Sequence, residues 1–284
     1  MKRAFLTTIL FCLCAVSFAQ DVNTSKTGIA LANEHKIVAE ARRSSMNFNE
    51  IKVSNAIRLV VEERTSGNII VRAPHSVMPY VSLSVHDGTL YATLLSGTPV
   101  SRRSDVVAEV YVPYNGRINE IKTSAAARVV VKPTISCNEL ELEATSASMI
   151  EIKAGVKEAS IDASGASTIK AVLAADELDV ELSGASTATL SGHINKVEIE
   201  ATGASTLNAD KLRASNLELE CSGASQASAL AVLCTAKASG ASTITVECLQ
   251  QLNVSASGAS LITYSGDCFL NTISNVGSSV IRKK

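Results

Sequence analysis

The sequence has no tryptophan, and only 4% of its 284 residues are aromatic. Three of the five phenylalanines, Phe5, Phe11 and Phe18, sit in the first eighteen residues, leaving Phe48 and Phe269 for the rest. Sugar-gripping and sugar-cleaving grooves rely on flat aromatic faces, which bury large areas while freezing few rotamers. Their scarcity weighs against a polysaccharide-active enzyme. An excess of one charge is also missing, with 26 Lys and Arg against 27 Asp and Glu, and a nucleic-acid binder would show a basic bias. The balance is uneven along the chain, mildly basic up to residue 133 and acidic beyond it. The four histidines, His35, His75, His86 and His193, are scattered without a His-Glu-x-x-His motif. Beyond the first twenty residues the cysteines are Cys137, Cys221, Cys234, Cys248 and Cys268. Their odd number and the lack of a Cys-x-x-Cys pair exclude a disulfide framework and a zinc site. They read as small buried apolar residues, with one bridge, Cys248–Cys268 foremost, as the alternative in an oxidising compartment.

The first residues supply an export signal. Lys2 and Arg3 precede the apolar run Ala4 to Phe18, and Ser17-Phe18-Ala19 forms a small-x-small cleavage site. The run is shorter than the roughly 20 residues a spanning helix needs, so residues 1–19 read as a cleaved signal peptide. Cys12 and Cys14 raise a lipid anchor, but each follows a large residue, Phe11 or Leu13. No later segment is long enough to span a membrane. The chain is therefore expected in the periplasm, at the cell surface or outside the cell.

The main message is a repeat. Ser-Gly-Ala-Ser begins at Ser164, Ser183, Ser222, Ser239 and Ser257, and Thr-Gly-Ala-Ser at Thr202. Degenerate copies start at Thr145 and Val276, with a fainter one, Ser124-Ala-Ala-Ala127. Successive spacings from Thr145 are 19, 19, 19, 20, 17, 18 and 19 residues. Between copies the chain alternates, as in Glu177-Leu-Asp-Val-Glu-Leu182 and Lys196-Val-Glu-Ile-Glu-Ala201. Period two means strands with one face buried, and a 19-residue repeat is too short for a pair of helices. The expected fold is all-β, a parallel β-helix whose strands pair with their equivalents one coil away. Eight coils would stack to about 40 Å. The tetrapeptide reads as a corner: Gly takes a positive φ, Ala points inward, and the hydroxyls stack as ladders bonded to neighbours or to their own backbone. It is not a nucleophile elbow, which is Gly-x-Ser-x-Gly.

Residues 20–46 read as a polar leader, partly helical around Ile37 to Arg43. Residues 47–134 read as an N-terminal β region with strands at 48–53, 57–61, 68–72, 80–85, 89–94 and 106–112, and residues 135–284 as the repeats. Asp87-Gly88 is a hairpin signal, so some pairing is antiparallel. The stretch Phe48-Asn-Glu-Ile-Lys-Val-Ser-Asn-Ala-Ile57, the later Val85-His-Asp-Gly-Thr-Leu90 and the serial Ser-Gly-Ala-Ser together resemble the auto-transporter adhesin, head GIN domain family. The resemblance spans roughly residues 47–281. It implies a bacterial cell-envelope protein of β-helical fold without an established enzymatic activity, and it carries no functional residues. A C-terminal membrane barrel is lacking, so a complete autotransporter is not expected, and the periplasm stands beside surface display.

Aligning the coils on the tetrapeptide places carboxylates in columns. One reads Glu143, Asp162, Glu181, Glu200, Glu220 and then Lys237; the other reads Glu141, Ser160, Asp179, Glu198 and Glu218. Like charges opposite each other across strands are destabilising, at about 1 kcal/mol per pair even in bulk water. Three readings of this strip remain open: a solvated face that discourages sheet association, a site for Ca²⁺ or another hard cation, or a dock for a basic surface, including the basic N-terminal part of another copy. The acids form a ladder rather than the isolated pair of a glycosidase, so no catalytic residue is assigned. The sequence thus predicts a non-enzymatic exported protein that offers a rigid β-helical surface to a macromolecule or glycan. The alternatives are a periplasmic structural or assembly module and a polysaccharide-active β-helix enzyme.

Overall fold

Apolar and polar residues alternate through most of the chain, and the backbone follows that pattern into strands. The computed structural model describes residues 39–43, 47–63, 67–99 and 108–284. The signal peptide at 1–19, most of the 20–46 leader and His35 lie outside the described residues. In chain order the strands are β1 (Ala39–Arg43), β2 (Glu50–Val53), β3 (Ile57–Glu62), β4 (Ile69–Ala73), β5 (Val81–His86), β6 (Thr89–Leu94), β7 (Ala108–Pro113), β8 (Glu120–Thr123) and β9 (Arg128–Ala144). They continue as β10 (Met149–Ala163), β11 (Thr168–Leu182), β12 (Thr187–Ala201), β13 (Thr206–Cys221), β14 (Gln226–Ala238), β15 (Thr243–Ala256), β16 (Leu261–Ser265), β17 (Phe269–Asn275) and β18 (Val280–Lys283). The described residues include no α-helix, only a 3-10 turn at Met78–Tyr80, and no helix long and apolar enough to cross a membrane. From β8 onward every pairing is parallel, each strand lying on its equivalent one coil away. The solenoid expected from the 19-residue period is therefore present.

Each coil has two arms, one after the tetrapeptide corner and one before the next, joined by a bend. In the coil opened by Ser164, the inward residues are Ser167, Ile169, Ala171, Leu173, Leu178, Val180 and Leu182, all essentially buried. Alternation makes the register self-enforcing, because a one-residue slip would turn all the apolar side chains outward. Coils of 20 and 17 residues fit because their length differences are absorbed at the bends, where pairing shifts between Ala209 and Arg213 and between Ala231 and Leu233. The arms that precede the corners stay in step from β9 to β15, and β17 then shifts by one residue against β15 between Leu252 and Asn253.

The corner differs from expectation in one respect. Its Ala is exposed and its second Ser points inward, giving a buried column of Ser148, Ser167, Ser186, Ser205, Ser225, Ser242, Ser260 and Ser279. The Gly and Ala form the outermost turn, and the Ala N–H is committed to the coil before, Ala185 donating to the Gly165 carbonyl at 2.6 Å and Ala204 to that of Gly184 at 2.7 Å. The turn thus puts the fourth residue on the inner face, where only a small side chain fits. Gly is required twice over: Gly184 has φ +68°, and a Cβ there would lie 2.8 Å from the Gly165 carbonyl oxygen. The hydroxyls bond backbone carbonyls, Ser242 to those of Ser239 and Cys221 and Ser260 to those of Ser257 and Ala238. Ser167, Ser186 and Ser205 make no such bond, so the ladder is satisfied only toward its ends.

The N-terminal strands belong to the same sheet. β2 and β3 pair in parallel with β8 and β9, through a corner at Ser54-Asn55-Ala56 that lacks Gly and holds Asn55 and Ala56 at positive φ. On their other side, β6 and β7 pair in parallel with β2 and β3. The coil made by β2 and β3 is therefore inserted between strands that follow it in sequence. Antiparallel strands finish this end: β5 lies on β6 through the Asp87-Gly88 turn, and β4 and then β1 lie beyond β7. The helical reading of Ile37 to Arg43 is corrected over its described part, which is strand β1. Pairing with β4 prevails there over local helix propensity. The sequence boundary at 134/135 falls inside β9, because the N-terminal region supplies coils of the solenoid itself. At the opposite end no described strand lies beyond β18, and Phe269, Ile273, Val276 and Val280 are exposed.

Candidate functional site

The arm before each corner presents the acidic columns predicted from the repeat, and the register places them in the expected order. Glu143, Asp162, Glu181 and Glu200 pair in sequence down the sheet and lead to Glu220. The neighbouring column runs Glu141, Ser160, Asp179, Glu198, Glu218. A third, Glu139, Glu158, Glu177, ends at Lys196, which pairs with Glu177 at 3.6 Å. Strand spacing keeps neighbours within a column about 4.8 Å apart at the backbone. The other arm has different outer chemistry, with Thr168, Thr187, Thr206, Gln226 and Thr243 in one column and, after Glu151 and Lys170, Thr189, Asn208, Ser228, Thr245 and Thr263 in the next. The concentration of acid is thus a property of one face rather than of the surface at large.

Lysines close the acidic block at both ends. Toward the N-terminus, Lys122 occupies the column position above Glu143, and its Nζ lies 2.7 Å from Glu141 and 3.3 Å from Glu120 and Glu143. Lys52, one coil further, approaches Glu120 at 3.3 Å and Glu50 at 3.5 Å. At the other end, Lys237 meets Glu218 at 2.8 Å and Glu220 at 2.5 Å. The hydrogen bond to Glu141 foremost holds Lys122 above its ordinary pKa, and the bond to Glu218 does the same for Lys237. Among the described residues, no Lys or Arg comes within ion-pair distance of Asp162, Asp179, Glu181, Glu198 or Glu200. The centre of the face is therefore uncompensated acid between two basic brackets.

Glu50, Glu120, Lys52 and Lys122 extend the face but were not read from the sequence. Their signal was present: Glu120 and Lys122 precede the faint copy at Ser124 by the same offsets as Glu141 and Glu143 precede Thr145. The face is slightly concave around the first coils, forming a groove of about 480 Å³ lined in part by Glu141, Glu158, Asp162, Glu177, Asp179 and Glu198. Its carboxylates stand side by side rather than converging. No three His, Cys, Asp or Glu among the described residues are grouped as a metal-ion site. His86 packs near Tyr91 and His193 is exposed at a bend.

Asp162 is the carboxylate that registers the crowding. Burial, then Glu143, Glu141 and Asp179, push its pKa above the ordinary 3.8. A raised carboxylate pKa means folding disfavours the ionised form, so this contribution is lost as pH rises through the folded pKa and is fully present below the unfolded one. Asp162→Asn is accordingly expected to stabilise the protein at pH 7 by up to about 1 kcal/mol, with the gain vanishing below pH 3.8. Denaturant titrations of both proteins at the two pH values measure it, and equal midpoints at pH 7 would contradict it.

Comparison with known proteins agrees with this architecture. A solved structure of a putative adhesin from Parabacteroides distasonis superposes with TM-score 0.69 at 18% identity, covering 87% of this chain and 96% of that one. A putative adhesin from Parabacteroides merdae gives 0.67 at 18% identity, with 87% and 95% covered. A putative lipid binding protein from P. distasonis gives 0.66 at 17% identity, with 86% and 96% covered. No curated protein sequence matches the chain. At such identities the likeness is one of fold. The sequence-level match is a family model described as "putative auto-transporter adhesin, head GIN domain", which aligns with residues 47–233. That span takes in the inserted first coil, the antiparallel strands β4 and β5 and the whole acidic block, and it is on this ground that the chain belongs to that family.

Proposed function

We propose that this protein is a non-enzymatic, exported envelope protein that adheres to a macromolecular partner through the acidic face of its solenoid, the partner presenting positive charge. The observation that carries this reading is the uncompensated block Asp162, Asp179, Glu181, Glu198 and Glu200, held in fixed register on a continuous sheet and bracketed by Lys122 and Lys237. Each exposed carboxylate is worth little alone, but a rigid array engages many charges without further ordering cost. The scarcity of aromatic residues favours a basic protein surface over a glycan. The adhesin descriptions of the family and of its solved relatives support a role in attachment, and the even ladder of acids supports a surface without catalysis.

The test is adherence of the purified protein to envelope fractions and to a basic model protein on beads, in rising salt. Screening at 1 M salt shortens the Debye length to about 3 Å, so binding should fall steeply. The variant Asp179→Asn/Glu181→Gln/Glu198→Gln/Glu200→Gln, intact by circular dichroism, should lose most of it. Undiminished binding by that variant would refute the assignment of the face. A periplasmic structural module is the second reading, and protease shaving of intact cells separates the two, because only a surface-displayed protein is removed.

A further inference from the structure

The last coil is the less covered end of the described solenoid. Antiparallel strands finish the N-terminal end, whereas β17 is exposed along nearly its whole length and β18 has no described strand beyond it. Three sulfurs gather where this coil bends. Glu247 pairs with Ser265 and Gln251 with Phe269, so the three residues between them on each coil lie over one another. Gly266 occupies the place above Cys248, and a Cβ there would be 2.1 Å from the Cys248 carbonyl oxygen. The two backbones therefore touch, and Cys268, two residues on, turns its side chain against the core. Cys248 is fully buried, with Sγ 3.1 Å from the Gln251 carbonyl and 3.5 Å from that of Val232. Both side chains pack into the same core at this bend. Cys234 is buried nearby in the second arm, paired in register with Leu252. Cys137 lies far off in β9, its thiol directed at the Glu139 carbonyl.

We infer that Cys248 and Cys268 are a disulfide-forming pair that clamps the last coil to the one before it. The inference rests on the proposal that the protein is exported, since disulfides persist in oxidising compartments. Cys268 is the accessible member and attacks first. Its thiolate attacks one sulfur of an incoming disulfide oxidant, displaces the other as a thiolate and forms a mixed disulfide. Cys248 then loses its proton and attacks the Cys268 sulfur, releasing the second oxidant thiolate. Two thiols and one disulfide become one disulfide and two thiols, so atoms and electrons balance. Burial holds the Cys248 thiol up at about 11, so the second step is the slow one, and it needs a brief opening of the bend. The bond closes a short loop that spans the unfinished end, and closure of that kind acts mainly by restricting the unfolded chain.

The experiment uses purified full-length protein treated with oxidised glutathione, then alkylated and digested, which makes the result independent of where the cell places it. The expected product is a peptide pair joining Cys248 to Cys268, with Cys137, Cys221 and Cys234 alkylated. Amide exchange across residues 261–283 should slow roughly tenfold or more on oxidation, and Cys268→Ser should abolish both effects. Cys234→Ser should leave both intact. Full alkylation of Cys248 and Cys268 after oxidation, or a bond from either to Cys234, would overturn the pairing. If the purified protein oxidises but the protein isolated from cells carries both thiols, the pair stands and the export proposal fails.

Discussion

Replacing Gly192 by alanine is expected to destabilise the protein by about 3 kcal/mol or more, or to prevent folding. Gly192 lies at the bend of β12, in register with Leu173, with φ +123°. A Cβ there would sit 1.9 Å from the Leu173 carbonyl oxygen, far inside van der Waals contact. The obstacle is backbone of the preceding coil, so no side-chain rotation relieves it, and the coils would have to separate where they are hydrogen-bonded. Gly155 is the control. It stands at the corresponding bend one register position away, opposite Ala174, with nothing within 4 Å of its would-be Cβ and no positive φ. Gly155→Ala should be neutral or stabilising by up to about 1 kcal/mol through the unfolded chain. Urea titration of the two variants decides the matter, and equal midpoints would refute the steric account.

Ile161→Ala is expected to cost about 2–5 kcal/mol. Ile161 is fully buried in the column that runs from Leu142 to Val180, so truncation empties space against both neighbouring coils. In a solenoid each coil contacts only its neighbours, and stability is close to a sum of coil and interface terms. The loss should therefore appear first as faster amide exchange in β9, β10 and β11, with β14 and β15 less affected. A uniform rise across all the coils would mean the solenoid unfolds as one cooperative block instead.

The regular part of the fold was legible because its physics is local and repeated. A corner that favours Gly at one position, followed by period-two alternation, fixes coil length, inward columns and the outward acidic columns together. That is why the pairs Asp162 with Glu181 and Glu200 with Glu220 could be written down from spacing alone. The first coil was not legible as a coil. Its corner, Ser54-Asn55-Ala56, reaches positive φ without Gly, and β4 to β7 interrupt the period before β8 resumes it. The inward Ser was misassigned for a geometric reason: composition says which residues are small, but only the hydrogen bonds from Ala to the preceding Gly carbonyl show which of them the turn carries inward. The lysine brackets lie partly in that same unread stretch, since Lys122 acts through a strand whose repeat signal is faint.

The inserted coil also sets an order of assembly. β2 and β3 lie between strands that are made after them, β6 and β7 on one side and β8 and β9 on the other. A chain emerging from its N-terminus therefore cannot complete its first coil until residue 144 is free, and these contacts bear a high loop-closure cost. Every coil after that has a finished edge waiting for it and needs only its own 17 to 20 residues. Growth of the solenoid is thus gated once, at the N-terminal end, and then runs like a zip toward Lys284. A chain cut short late in the repeats keeps its template, while one cut before β9 has none.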